Sequence, residues 1–312
     1  MIVVWLLVLV GGLAAAAYGS RRAVTAALDA SRTSNIPPGI IGLTVVAVGT
    51  DLPEIANSIV SALSGHGDLI IGDAAGSALT QVTFILALLC LGAGPIHADR
   101  NTVLTTGTMT TVALLAAALL IRDELFARWE GALLMAAWVL AIIAIQRQRT
   151  PHTPDLGPPE TDGSTGRHVA VALGWLLLVG VAATAVVESF IIISDQLGIP
   201  QLIASAIVLS LGTSLPELVV DWTAIRKGAV AMAIGDLFGS SLLDATLAIG
   251  IGPALRAVTV SPSAATACLI AAMGVMAATV IAGSRPSHGR PSATLLFLVY
   301  GAATAALIVG TG

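Results

Sequence analysis

The sequence repeats itself once. Residues 49–54 read GTDLPE and residues 212–217 read GTSLPE, while residues 72–81 read GDAAGSALTQ and residues 235–244 read GDLFGSSLLD. Both pairs lie 163 positions apart, and no gap is needed between the motifs within a repeat. Two motifs matching at one offset argue for internal duplication far more strongly than either alone. The fold must therefore be built from two like halves.

Those halves need lipid as their solvent. Of 312 residues, 56% are hydrophobic and 10% charged, with a mean hydropathy of +0.94. A soluble domain carries about 25% charged residues. A helix needs about 20 apolar residues to cross about 30 Å of hydrocarbon. Windows of that length place ten spans near 2–20, 35–63, 68–92, 102–121, 127–146, 168–194, 200–225, 229–254, 262–283 and 292–311. The first run lacks a basic leader, and Arg21 and Arg22 follow it, so it reads as a mature helix and not a signal peptide. No basic patch with interleaved aromatics supports nucleic-acid binding. Cys90 and Cys268 sit singly in apolar runs and read as small core residues.

Five spans fall in each half. An odd number makes the second half enter the membrane upside down, so the expected fold is an all-α integral membrane protein with ten transmembrane helices as two inverted five-helix repeats. The repeats occupy 1–146 and 168–312. Between them, 147–167 is rich in Pro, Gly and Thr and reads as a flexible cytoplasmic linker. With both termini outside, eleven Lys and Arg residues fall in inner loops and three (Arg122, Arg128 and Arg256) in outer ones. The expected location is the plasma membrane. His152, His168 and His288 share no helical spacing and read as solvated surface.

Inverted repeats put substrate sites at the midplane where the halves meet. Pro53 and Pro216 lack an N–H, which frees the carbonyls of Gly49 and Gly212 from helical pairing. Freed carbonyls in hydrocarbon are tolerated where they are buried or coordinate something. Glu54 follows Thr50 by four positions and Glu217 follows Thr213 by four, so hydroxyl and carboxylate share a helix face. A membrane-embedded carboxylate is costly enough that function is its default reading. The second motif carries oxygen-bearing side chains at spacing four: Asp73, Ser77 and Gln81, then Asp236, Ser240 and Asp244. Gly72, Gly76, Gly235 and Gly239 flank them and invite close helix packing. This all-oxygen set suits a hard cation such as calcium, with 6–8 oxygen ligands, and not zinc or copper.

GTSLPE, its partner GTDLPE and the two following segments resemble the alpha repeats of the prokaryotic sodium/calcium exchangers, within the calcium/cation antiporter superfamily. The resemblance is specific over about 41–92 and 204–255. It implies a compact bundle of eight helices with the first and sixth spans as long peripheral helices. It also implies ion ligands at Thr50, Asp51, Glu54, Ser77, Gln81, Thr213, Ser214, Glu217, Ser240 and Asp244, with the carbonyls of Ala47 and Leu209. It implies no enzyme activity, no cofactor and no protein partner; the partners are inorganic cations and membrane lipid. Four positions depart from the pattern. Asp51 stands where serine is usual, Asp73 and Asp236 stand where asparagine is usual, and Gln81 replaces asparagine. With Glu54, Glu217 and Asp244, the region holds six acids.

Each residue has a plainer reading. Ser77 and Ser240 would serve helix packing, Asp73 and Asp236 would bond backbone or solvent near a cavity mouth, and Asp51 would be a solvated cavity residue. Asp221, Asp68 and His66 read as helix-end or loop residues without a role. The leading functional expectation is calcium exchange for sodium by alternating access. The alternative is a proton-coupled divalent cation exchanger, because crowded carboxylates cannot all stay ionised without a cation. A channel is disfavoured by the broken helices in corresponding positions of the halves. An intramembrane hydrolase is disfavoured because no serine in the spans is paired with a histidine.

Overall fold

The computed structural model describes residues 2–92, 96–148, 158–196, 214–285 and 287–311. The helices are α1 (Ile2–Ser34), α2 (Pro38–Thr50), α3 (Leu52–Ser64), α4 (Gly67–Gly92), α5 (Arg100–Leu120), α6 (Arg128–Gln148), α7 (Thr165–Gln196), α8 (Leu215–Arg226), α9 (Val230–Leu255), α10 (Pro262–Gly283) and α11 (Arg290–Thr311). Among the described residues, eight helices are long and apolar enough to cross a membrane. The bent pair α2–α3 makes a ninth. Much of the seventh expected span lies outside the described residues, and α8 is its second part.

The local structure repeats at the same offset as the motifs. Pro53 and Pro216 sit in the first turns of α3 and α8, where a missing N–H is harmless. The residues just before these helices, Asp51 (φ −84°, ψ 8°) and Ser214 (φ −92°, ψ 10°), hold nearly the same non-helical conformation. Gly65 and Gly228 have φ of +80° and +77°, a left-handed conformation that glycine adopts without strain. At the end of α3, Gly65 and His66 donate their N–H groups to the carbonyls of Ala62 and Ser61, and Gly228 and Ala229 do the same to Ile225 and Ala224 at the end of α8. Single π turns interrupt α4 at Gln81–Ile85 and α9 at Asp244–Ala248. A third, Gly42–Val46, interrupts α2.

Four two-residue strands tie the loops together. β1 (Ile96–His97) pairs antiparallel with β4 (Ser287–His288), and β2 (Leu125–Phe126) with β3 (Val258–Thr259). Helix α5 separates β1 from β2 by its 21 residues, about 30 Å. The β1–β4 and β2–β3 pairs therefore mark opposite ends of the bundle. Arginines cap orphan helix carbonyls at both ends. Arg100 donates to the Gly283 carbonyl (3.1 Å), Arg128 to Ala254 (3.1 Å) and Arg256 to Leu63.

The main core runs through α4, α5, α9, α10 and α11, with Leu79, Leu86, Leu114, Phe238 and Val275 fully buried. A second cluster joins α1 to α7, where Ala23, Val24 and Ala27 pack on Ala172, Leu176 and Val179. The 147–167 segment, which composition predicts to be loose, is held down over its described part. Asp29 of α1 is fully buried and accepts the N–H groups of Glu160 (2.8 Å) and Thr161 (3.0 Å) and the Thr161 hydroxyl (2.7 Å). Arg32 completes the cluster by pairing with Asp29 (2.9 Å) and Glu160 (3.6 Å). His168 and His288 are buried and not surface residues. Ser292 Oγ lies 3.1 Å from His288 Nδ1, and burial lowers the His288 pKa.

Candidate functional site

The site forms where the break between α2 and α3 meets α8 and α9. The break bends the chain by 46°. Thr50 turns its hydroxyl back to the Val46 and Ala47 carbonyls (both 3.2 Å), a local bond that loosens the helix end. Its Oγ1 also lies 3.3 Å from Ser240 Oγ of α9. Leu176 and Gly180 of α7 lie over Gly49 and Pro53, so α7 closes one side of the break.

Close packing brings α9 to this point. A Cβ on Gly235 would lie 2.2 Å from the Gly39 carbonyl oxygen, and one on Gly239 would lie 2.6 Å from Leu43 Cα. From the other side, a Cβ on Gly42 would lie 2.1 Å from the Met232 carbonyl oxygen. Only backbone against backbone fits there. The expectation that Gly72 and Gly76 play the same part in α4 is wrong, because a Cβ added at either would meet open space.

Three carboxylates converge. Ligand oxygens of Asp51, Glu54 and Glu217 all lie within 4.8 Å of one another. All three side chains are buried, and neither oxygen of any of them has a hydrogen-bond partner. Next to them Gln81 Nε2 donates to Asp244 Oδ2 (3.0 Å), which leaves Gln81 Oε1 and Asp244 Oδ1 buried and unbonded. Ser214 Oγ is likewise buried without a partner. Ser77 is buried on α4, one turn before Gln81. Gln81 and Asp244 are repeat mates, as are Ala78 and Ser241, whose hydroxyl donates to the Ala78 carbonyl (2.8 Å).

Unpaired buried carboxylates are strongly unfavourable. No Lys or Arg offsets them; among the described residues the ion pairs are Arg32 with Asp29 and Glu160. What remains is a bound cation or bound protons. Carboxylate, amide and hydroxyl oxygens in this number fit a hard cation.

Two expected residues are not among the three converging acids. Asp73 is half-buried, and its Oδ2 accepts from Asn57 Nδ2 (2.6 Å). Asp236 is fully buried and lies near Glu217, against Asp221, with Ser240 and Thr50 beside it. Thr213 and the Leu209 carbonyl lie outside the described residues. Asp221, read from sequence as a helix-end residue without a role, is fully buried with both oxygens unpartnered. Its signal was present in the sequence: Asp221 follows Glu217 by four positions on one helix face.

A bundle of apolar helices around buried, uncompensated oxygen ligands defines an ion-transporting membrane protein. The chain belongs to the sodium/calcium exchanger protein family, whose model matches residues 4–146 and again residues 167–309. It is 30% identical to the inner membrane protein YrbG of Escherichia coli over 79% of this chain and 78% of that one. It is 29% identical to the putative antiporter CaxA of Alkalimonas amylolytica, over 85% of each. The sodium/calcium exchanger MaX1 of Methanosarcina acetivorans is 24% identical, over 80% of this chain and 83% of its own. Among solved structures, the sodium-calcium exchanger NCX_Mj superposes with a TM-score of 0.80 at 23% identity, covering 98% of this chain and 100% of that one.

Proposed function

We propose that this protein exchanges calcium for sodium by alternating access, with Glu54 and Glu217 as the shared ligands that cannot serve both ions at once. The observation that carries this reading is the convergence of Asp51, Glu54 and Glu217, buried and unpartnered, at the junction of the two halves. Thr50, Ser77, Gln81, Ser214, Ser240 and Asp244 supply further oxygens, and Thr213 completes the set by its repeat position. Calcium flux into proteoliposomes, with sodium and proton gradients imposed separately, tests it. A sodium gradient alone should drive uptake, and uptake driven by a proton gradient alone would replace sodium as the counter-ion.

The proposed architecture is ten helices in two inverted repeats, 1–146 and 168–312, with both termini outside the plasma membrane. The strand pairs support the inversion. β1 and β3 hold equivalent places in the two halves yet lie at opposite ends of the bundle. Equivalent loop positions should therefore face opposite sides of the membrane. Cysteines at Ser64 and Lys227, both exposed and each next to a left-handed glycine, should react with an impermeant maleimide from opposite sides. The native Cys90 and Cys268 are buried and do not compete. Labelling of both sites from one side would rule the inversion out.

A proton-coupled version of the same exchanger is favoured by one observation, the third carboxylate. Asp51 has Ser214 as its repeat mate, so duplication does not require an acid there. Three carboxylates this close cannot all stay ionised without a cation, so cation binding should expel a proton. Lowering the pH adds competing protons and should inhibit transport. Asp51→Ser should move the inhibition midpoint to lower pH and strengthen sodium dependence. Superimposable flux–pH curves would leave Asp51 a bystander.

A further inference from the structure

A groove of about 680 Å³ lies away from the ion site, between α1, the end of α4 and α8. Its walls are mostly apolar, with Ala17, Leu91, Leu218, Val219 and Trp222 among them, and none of the described lining residues is a carboxylate. The Trp222 indole fills the space a side chain at Gly92 would need, which fixes that wall. Arg21 of α1 lines the groove one turn beyond Ala17. The Arg226 guanidinium lies 5.5 Å from the centre of the Trp222 ring. Arg22 rests on Tyr18, and Lys227 donates to Thr25. Among the described residues, none of these four cations is in an ion pair. The two acids of α8, Glu217 and Asp221, are fully buried.

Basic residues at one end of a membrane bundle are expected of any such protein. Here they flank an open apolar groove that Arg21 itself lines, and the planar guanidinium matches a phosphate better than an ammonium does. We propose that this groove binds an anionic phospholipid, one acyl chain lying along Leu91, Leu218 and Trp222 and the headgroup phosphate held by Arg21 and Arg226. A zwitterionic lipid brings its own ammonium into a field of four cations and is disfavoured. The lipid would add a tie between α1 and α8 beside the Ser20–Thr223 hydroxyl contact of 2.8 Å.

Native mass spectrometry of the full chain in detergent tests this, with phosphatidylglycerol and phosphatidylcholine added in equal amounts. The wild type should retain one phosphatidylglycerol in preference to phosphatidylcholine. The double variant Arg21→Gln/Arg226→Gln should lose that preference, with affinity for phosphatidylglycerol falling about thirtyfold, on the scale of two lost basic contacts. Ala17→Phe, on the exposed side of α1, fills the groove and keeps every charge; it too should lose the lipid. A cooperative thermal unfolding transition in both variants, at the midpoint of the lipid-free wild type, establishes that they are folded. Equal retention of the two lipids by the wild type overturns the proposal. So does undiminished phosphatidylglycerol binding in Ala17→Phe, which would reduce the effect to surface charge.

Discussion

Replacing either Glu54 or Glu217 with alanine should bring calcium transport below about a tenth of the wild-type rate while leaving the protein folded. Both side chains are buried with no partner for either oxygen, so neither holds the fold together by a hydrogen bond. Removing one relieves a buried, unpaired group and lessens like-charge repulsion with its neighbours. The ion-free variants should therefore melt no lower than the ion-free wild type. What they lose is stabilisation by ligand, which at a hundredfold excess over Kd is worth about 2.7 kcal/mol. Thermal unfolding with and without calcium reads both effects. Calcium should raise the wild-type midpoint and leave the variants unmoved. A variant that transports normally, or one still stabilised by calcium, would take that glutamate out of the site.

The second large effect is structural and separates repeat mates. Gly235→Ala and Gly239→Ala place a methyl group against the backbone of α2, at 2.2 Å from the Gly39 oxygen and 2.6 Å from Leu43 Cα. Backbone cannot rotate away as a side chain can, so each should cost about 3 kcal/mol, the upper end for overpacking. Transport should fall with it, because the same contact sets Ser240 against Thr50. The mates behave oppositely. Gly72 and Gly76 have open space where a Cβ would go, so alanine there should be neutral or stabilise the helix by about 0.5–1 kcal/mol. Unfolding midpoints for the four variants check this. Equal losses in all four would mean that α4 and α9 are packed alike.

That contrast marks what a sequence can and cannot disclose. The proline-bearing helix start, the glycine turn after it and the second motif repeat at a fixed offset because they answer to local rules of proline, glycine and hydrogen bonding. They were legible, and so was the pairing of Glu54 with Glu217. Which mates pack tightly was not legible, since Gly76 and Gly239 look alike until neighbours surround them. Asp73 has helical spacing to Ser77 and Gln81, but that spacing does not disclose its hydrogen-bond partner. Asn57, which takes its oxygen, stands opposite Val220 in the repeat and gave no warning. Asp221 was passed over for the converse reason. Its mate is Ser58, so the motif comparison did not flag it, although its four-residue spacing from Glu217 did place it on the carboxylate face. The tethering of 160–161 to Asp29 depends on partners about 130 positions apart that no periodicity connects.

The contact between Gln81 and Asp244 bears on the history of the chain. Under a two-fold axis, a residue near the axis meets its own counterpart. In a pair of identical, unlinked subunits, position 81 would face a second copy of itself. Two aspartates there would repel, and two glutamines would bring no charge to the ion. Fusion into one chain lifts that restriction, because each copy can then change alone. The amide on one side can donate while the carboxylate on the other accepts, and a free oxygen remains on each. The asymmetric pair is thus an arrangement that a homodimer of this half could not build.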